Sequence, residues 1–413
     1  MGHVFYVPVL CRGLFVWAQA TLWIIRPGLI EVACRPENAV PRLLTSLCLT
    51  WLSFASLVGA AEPPHIASAV AAPEWDQRFQ RTSGWIGADG NYSIAVAPDR
   101  VLWFYSDTLV GRIENGRRVD TKLINNSVGV QTTTSAGPSL EFFHGTNAKG
   151  EPAALFVPDD PTHWYWLMGG ACVEGRIHLF LWEFEKSTDP GVFGFRNVGV
   201  TLAEVENPQA APTEWKVTRQ PVPCIDVSSD RQILFGSSVM PHDGHAYIYG
   251  YSATPAVQHS ARHMLVARAP LASLRDHSRW EFRTATGWSA DFREAASQVS
   301  GIATEYSVTS LPASQQFVTI SHGDLLSPKI TARFADQPWG PWSAPQEVWT
   351  CPEPAAKKGY FAYAGKAHPE LSSGNELVLT YAVNSFQFGD LFSDPSLYWP
   401  RFVKVKLAAH KPE

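Results

Sequence analysis

Charge is scarce in this sequence. Aspartate, glutamate, lysine and arginine make up 17% of its 413 residues, against about 25% in an ordinary soluble domain. The formal net charge is only −5, which gives no electrostatic reason to expect nucleic acid or an anionic membrane as partner and argues against steering of a polyanion. Cysteine is equally sparse. Cys11, Cys34 and Cys48 fall in the first 61 residues, leaving Cys172, Cys224 and Cys351. An odd set of this kind is no disulfide scaffold; one bridge or buried free thiols both fit it, and there is no Cys-x-x-Cys pair or zinc spacing. Also missing are a Gly-x-Ser-x-Gly elbow, a phosphate loop, a His-Glu-x-x-His pair and a nucleotide fingerprint. No cofactor and no metal site is therefore expected. Convincing amphipathic helices are absent too.

Rings, in contrast, are abundant: aromatics reach 12%, with 16 Trp and 22 Phe, ample for a core and for a binding surface besides. The length suits two average domains or one large β domain. Residues 1–61 differ from the rest, with apolar stretches at 14–25 and 43–58, several Arg, and no acidic residue before Glu31. In one reading Arg42 flanks the apolar region of a signal peptide that is cleaved after Gly59-Ala60-Ala61. In the other both stretches are transmembrane helices, but the first has only 12 residues where a crossing needs about 20. The signal peptide is the better fit, so the mature chain is expected to be secreted or periplasmic, without membrane insertion. A signal of this shape starts near its charged flank, so residues 1–39 are expected to precede the true start, with Val40 as an alternative initiator; an exported protein whose N-terminus lies upstream of Ala60 would refute this.

Beyond a Pro/Ala-rich linker at 62–74, short aromatic and β-branched runs alternate with turn residues, the signature of strands and hairpins. One hairpin recurs five times, beginning at Tyr92, Trp164, Phe235, Tyr306 and Ala364, with turns near Asp99, Gly175, Gly244, Ser314 and Gly374 spaced 60 to 76 residues apart. Outer strands are expected at 123–131, 140–143, 263–268, 280–283, 329–334, 347–350 and 401–407. The expected fold is all-β, a five-bladed β-propeller over 75–408 with a short tail at 409–413. The last sheet lacks an outer strand, which residues 78–85 could supply to close the ring. A β-sandwich or a solenoid is the alternative.

In a propeller the first residues of the innermost strands are where several sheets can share a site. Acids at such starts are Asp89 in Gly87-Ala88-Asp89-Gly90, Glu305 before Tyr306, and Glu370 in His368-Pro369-Glu370; Asp107 ends the antiparallel partner strand and returns toward Asp89. Glycoside hydrolysis needs such a pair of carboxyl groups, about 5–5.5 Å apart in retaining and about 6.5–9.5 Å in inverting enzymes. Each acid also has a plain structural reading: Asp-Gly is a turn signal, Asp107 fits an Asx turn, Glu305 a solvated strand edge, and His368 a bend before proline. Of Trp164, Tyr165 and Trp166, at most two can face one way, and such rings can stack on sugars. Tyr92, Asn126, Trp166, His368, Glu370 and Asn384 complete the candidate substrate contacts, the amides suiting sugar hydroxyls. The Asp-box signature of sialidase-type propellers is not visible.

The string Gly84-Trp85-Ile86-Gly87-Ala88-Asp89-Gly90-Asn91-Tyr92-Ser93, followed by residues 102–108 and Asn125-Asn126-Ser127, resembles the opening of a bacterial domain family of unknown function. Later matches keep the order: Ile248-Tyr249-Gly250, Gly340-Pro341-Trp342-Ser343, His368-Pro369-Glu370-Leu371 and Thr380-Tyr381-Ala382-Val383-Asn384. The resemblance implies a five-bladed propeller of the β-fructosidase and furanosidase kind, related to bacterial endo-D-arabinanases. Carried over, its first-blade acids fall on Asp89 and Asp107. The third acid that wider five-bladed glycosidases take from the third blade has no counterpart at Leu234-Phe235-Gly236-Ser237, with Asp226 and Asp230 just upstream. The expected function is an exported, monomeric glycoside hydrolase acting on a furanose-containing, D-arabinan-like polysaccharide or oligosaccharide, with a catalytic set of Asp89, Asp107 and Glu305. A non-catalytic propeller that binds carbohydrate or protein is the alternative, and another enzyme class, such as a lyase, is the third.

Overall fold

The computed structural model describes residues 5–11, 14–20 and 63–408, apart from 136, 189–190, 229, 255–260, 312 and 325. The chain divides into two units, 1–58 and 59–413. In the first, strands Phe5–Cys11 and Leu14–Ala20 pair as an antiparallel hairpin, so residues 14–20 are strand rather than the start of a helix. The expected signal region at 43–61, Val40 and the tail at 409–413 lie outside the described residues. Among the described residues no helix is long and apolar enough to cross a membrane.

In the second unit each predicted hairpin becomes the inner half of a four-strand antiparallel run. The first sheet is Tyr92–Ala97, Arg100–Tyr105, Ser127–Thr134 and Gly137–Phe143. The second is Trp164–Val173, Arg176–Lys186, Phe195–Val205 and Val217–Pro221. The third runs Gln232–His242, His245–Ala253, Arg262–Pro270 and Glu281–Arg283, with short additions at its edges. The fourth is Ser307–Leu311, Gln316–His322, Lys329–Ala335 and Gln346–Thr350. Tight turns fix their registers: Glu174-Gly175 and Asp243-Gly244 hold positive φ at both residues, the geometry whose twist matches the flanking strands.

The fifth sheet corrects the expectation for the closing strand. Tyr360–Ala367, Glu376–Ser385 and Arg401–Ala408 are joined not by 78–85 but by His65–Ala71 from the segment read as a linker. Ile66 and Ala69 point to the core from an otherwise exposed edge strand, a spacing too sparse to stand out among alanines. Residues Pro73–Phe79 form a short helix instead, started by a proline in its first turn and by Glu74 and Asp76, both favourable at a helix N-terminus; it buries Phe79. Ser83–Ala88 joins Thr108–Glu114 and Arg117–Ile124 in a separate three-stranded sheet, which the sequence reading had not separated from the first repeat.

First strands of consecutive sheets lie against one another from the first to the fifth. The fifth returns to the first through Ser93 Oγ and His368 Nδ1, 2.5 Å apart, and through the Lys366 ammonium, which donates to the Gly90 carbonyl. The all-β chain is therefore propeller-like, with first strands around a centre and the core between sheets, where Trp103, Trp182 and Trp280 are fully buried. A large side chain so buried contributes about 1.5–3 kcal/mol. Bulges interrupt the first strands of the second, third and fifth sheets, at Leu167/Gly170, Phe235/Ser238 and Tyr363/Lys366, a device common beside functional sites. Cys172, Cys224 and Cys351 are free thiols.

Candidate active site

The loop 87–91 leaves the three-stranded sheet and enters the first strand of the first sheet. It turns on residues in the left-handed region: Gly87 at φ 139°, Gly90 at 83° and Asn91 at 56°. At Gly87 a Cβ would stand 2.6 Å from the Tyr398 carbonyl oxygen, so no other residue fits. Tyr398 itself, at φ 67°, and Ala364, at 58°, are strained non-glycine residues on the same side, and strain of this kind concentrates at functional sites. Where Ala88 pairs with Thr108, the next residues face each other: Asp89 N–H donates to Asp107 O and Ser106 N–H to Asp89 O, both at 3.1 Å. Two carboxyl side chains thus emerge side by side, each half-buried.

Different donors hold them. Asp89 Oδ2 accepts hydrogen bonds from Tyr363 Oη (2.7 Å) and Tyr398 Oη (3.0 Å), and its buried Oδ1 has no protein partner. Asp107 Oδ1 accepts from Trp166 Nε1 (2.9 Å) and Asn125 Nδ2 (3.1 Å). All four donors are neutral, so neither charge is neutralised. Burial pushes Asp107 up to about 6, against the pull of Trp166 and Asn125. Burial pushes Asp89 well above the usual carboxylate range, helped by the charges of Asp107 and Glu305 and opposed by the two tyrosines. Like charges in one site cannot both ionise freely, so the second proton leaves this pair less readily than it would leave an isolated carboxyl.

Glu305 belongs to the same neighbourhood. Its Oε1 lies 3.3 Å from Lys366 Nζ, and that ammonium, almost fully buried, also donates to the carbonyls of Gly90 and Ala364 (the latter at 3.0 Å) and sits 4.2 Å from the Tyr92 ring centre. Tyr92 is buried against this lysine, so it supports the base of the site. Asn384 bonds the Tyr363 hydroxyl, and its Oδ1 accepts from Ser385 N–H at 2.7 Å. Among the described residues no group of three or more His, Cys, Asp or Glu side chains is placed to hold a metal ion.

Three expected substrate contacts lie elsewhere. Asn126 is fully buried: its amide donates to Phe156 O (2.8 Å) and Tyr165 O (3.0 Å) and accepts from Phe156 N–H (2.8 Å), so it pins a loop. His368, also fully buried, meets Ser93 Oγ through Nδ1 and Thr380 Oγ1 through Nε2 at 2.7 Å; burial and the nearby Lys366 charge hold it down at about 3, so it stays neutral. Glu370 follows it into the interior, its Oε1 4.0 Å from His368 Nδ1. Sequence reasoning missed Tyr363, Tyr398 and Lys366. Only the lysine carried a signal, as a lone cation between glycine and alanine in an inner strand.

The chain resembles solved structures. A crystal structure of a Bacteroides ovatus ATCC 8483 protein, provisionally named a hydrolase, superimposes with a TM-score of 0.65 at 20% identity, covering 82% of this chain and 90% of that one; it shows a shared fold. A GH43 enzyme of Xanthomonas citri reaches 0.41 at 15% identity, covering 83% and 92%. An α-L-arabinofuranosidase of Clostridium thermocellum ATCC 27405 reaches 0.39 at 12%, covering 71% and 82%. No curated protein matches the sequence. The profile described as Domain of unknown function (DUF5005) matches residues 73–407, from the short helix through the last strand, and the chain belongs to that family.

Proposed function

We propose that this domain is an exported five-bladed β-propeller glycoside hydrolase that cleaves a furanose-containing polysaccharide of the D-arabinan kind. The observation that carries the reading is the facing pair Asp89 and Asp107, half-buried, held by different neutral donors and both raised in pKa. Cross-strand neighbours have Cβ atoms about 4.5–5.5 Å apart, which puts their carboxyls in reach of one glycosidic bond. Asp89, raised well above the usual carboxylate range, carries the proton and gives it to the leaving oxygen as the C–O bond breaks. Asp107, ionised above about pH 6, attacks the anomeric carbon or takes a proton from the attacking water, according to the carboxyl separation. Two carboxyls whose environments set their pKa values apart are the usual basis for such a division of roles. Glu305, tied to Lys366, adds negative charge that keeps Asp89 protonated and is the third member of the set.

The test is a screen of the purified mature chain against arabinans, fructans and other wall glycans, with Asp89→Asn and Asp107→Asn as controls. Release of reducing ends by the parent and loss in both variants is expected. Activity unchanged in both variants would refute the assignment, and binding without cleavage would favour a carbohydrate-binding propeller.

A further inference from the structure

Among the described residues every exposed large aromatic ring, Phe193 at 40%, Phe386 at 48% and Phe388 at 46%, belongs to one of two loops beside the acids. Phe193 ends the short turn Gly191–Phe193 in the second sheet, while Phe386 and Phe388 follow Glu376–Ser385 in the fifth. Two of these rings meet across the gap: Phe193 lies 6.4 Å from Phe386 and 6.2 Å from Phe361, and Phe361 lies 4.7 Å from Phe386, centre to centre. Both ends of this bridge run back to the acids. Phe361 is 5.4 Å from Tyr363, which holds Asp89; Phe193 is 6.4 Å from Phe195, itself 4.7 Å from Trp166, which holds Asp107. The contacts close a ring that begins and ends on the carboxyl pair, although the first sheet, whose connections to the three-stranded sheet bear both acids, contributes none of its phenyl rings.

We infer that Phe193 and Phe386, backed by the buried Phe361, form a stacking wall for a neutral sugar residue next to the one whose bond is cleaved, so that the site binds at least two consecutive units of an uncharged saccharide chain. Exposed phenyl rings present flat apolar faces that match the C–H face of a sugar and offer no ionic partner, which selects neutral sugars over uronic acids. Two loops from different sheets leave apolar rings in water at the same spot, a cost that a bound ring face removes. The inference rests on the hydrolase reading for the neighbouring unit, but stacking is measurable without cleavage.

Affinity for D-arabinan is read by affinity electrophoresis in an Asp89→Asn background, with polygalacturonate as the charged control and kcat for an aryl D-arabinofuranoside measured in the otherwise native chain. Phe193→Ala with Phe386→Ala is expected to weaken arabinan binding about tenfold, to leave kcat on the single-sugar substrate within twofold, and to be largely rescued by Phe386→Trp. Unchanged arabinan affinity, or equal affinity for polygalacturonate in the parent, overturns the wall. Binding that depends on these rings in a chain that cleaves nothing would sink the hydrolase and leave the wall standing, whereas a parent that binds no arabinan overturns the wall whatever it cleaves.

Discussion

Glu370→Gln is expected to stabilise the domain at alkaline pH and to do nothing in mild acid. The Glu370 carboxyl is 8% exposed, its only ionisable neighbour within 4.0 Å is His368, and that ring is neutral because its own pKa is held at about 3. With no cation to meet it and no hydrogen bond to Oε1, the ionised form is penalised by burial, which outweighs a hydrogen bond from its own backbone N–H, and the group is pushed from 4.5 to about 7. Between those values the folded state binds more protons than the unfolded, so stability falls as pH rises through that window and is level on either side. The shift of roughly 2.5 units corresponds to about 3 kcal/mol at 1.36 kcal/mol per unit. A domain of this size has an unfolding entropy of about 0.7 kcal/mol/K, from about 2.1 cal/mol/K per residue, so the variant should melt about 4 °C above the parent at pH 8 and level with it at pH 4.5. Thermal melts of both proteins at the two pH values, referenced to each other, cancel every other titrating group. An equal difference at both pH values would refute the buried carboxyl with no cation beside it.

The acids themselves make further predictions. Asp107→Asn and Asp89→Asn should each lower kcat at least about a thousandfold, in line with loss of a catalytic group, while the far-ultraviolet circular dichroism is unchanged. The rate should follow a bell, rising through about pH 6 as Asp107 ionises and falling where Asp89 loses its proton; a profile flat from pH 5 to 9 would contradict the roles. Trp166→Phe removes a donor that favours the ionised Asp107, so the acidic limb should move to higher pH, and Tyr363→Phe should move the alkaline limb up by the same logic. Arg118→Met should lower the urea midpoint by the equivalent of at least about 2 kcal/mol, since it strands several buried carbonyls; an unchanged midpoint would show that the guanidinium contributes nothing.

The five hairpins were legible because alternation, aromatic β-formers and turn residues agreed there, and because each inner strand is long enough for its period to show. The facing of Asp89 and Asp107 was legible too, since antiparallel pairing returns the end of one strand to the start of its partner. Their holders were not. Tyr363 and Tyr398 lie in no motif; that their hydroxyls reach Asp89 depends on the bulge at Tyr363/Lys366 and on the left-handed turn at Tyr398, which no local pattern announces. Asn126 and His368 erred the other way. Polar side chains beside a motif look like substrate contacts until the groups they satisfy are known, and those, the Tyr165 carbonyl and the Ser93 hydroxyl, lie far away in sequence. His65–Ala71 was hidden because an edge strand with one inward face of Ile66 and Ala69 has the composition of a linker.

That edge strand bears on the chemistry. Asp89 comes from the loop that enters the first sheet, but the hydroxyls that hold it, and the lysine that braces its loop, come from the fifth sheet and the loop before its strand Arg401–Ala408. The fifth sheet is the one whose outer strand is borrowed from the far end of the chain, pairing His65 with Ala408 and Ala71 with Val403. Arg118 adds a second tie: its guanidinium donates to Ile86 O on one side (3.0 and 3.1 Å) and to Leu391 O (2.6 Å) and Leu397 O (2.7 Å) on the other, clamping the segment before Tyr398 against the strand before Asp89. Closure of the ring and the support of Asp89 therefore draw on the same sheet: whatever loosens the strand at 65–71 frees the fifth sheet's edge, and with it the two tyrosines that hold Asp89. A processing cut after Ala61 leaves that strand whole, whereas a cut ten residues later would remove it, and the same chain would then keep its acids while losing the geometry that sets their protons.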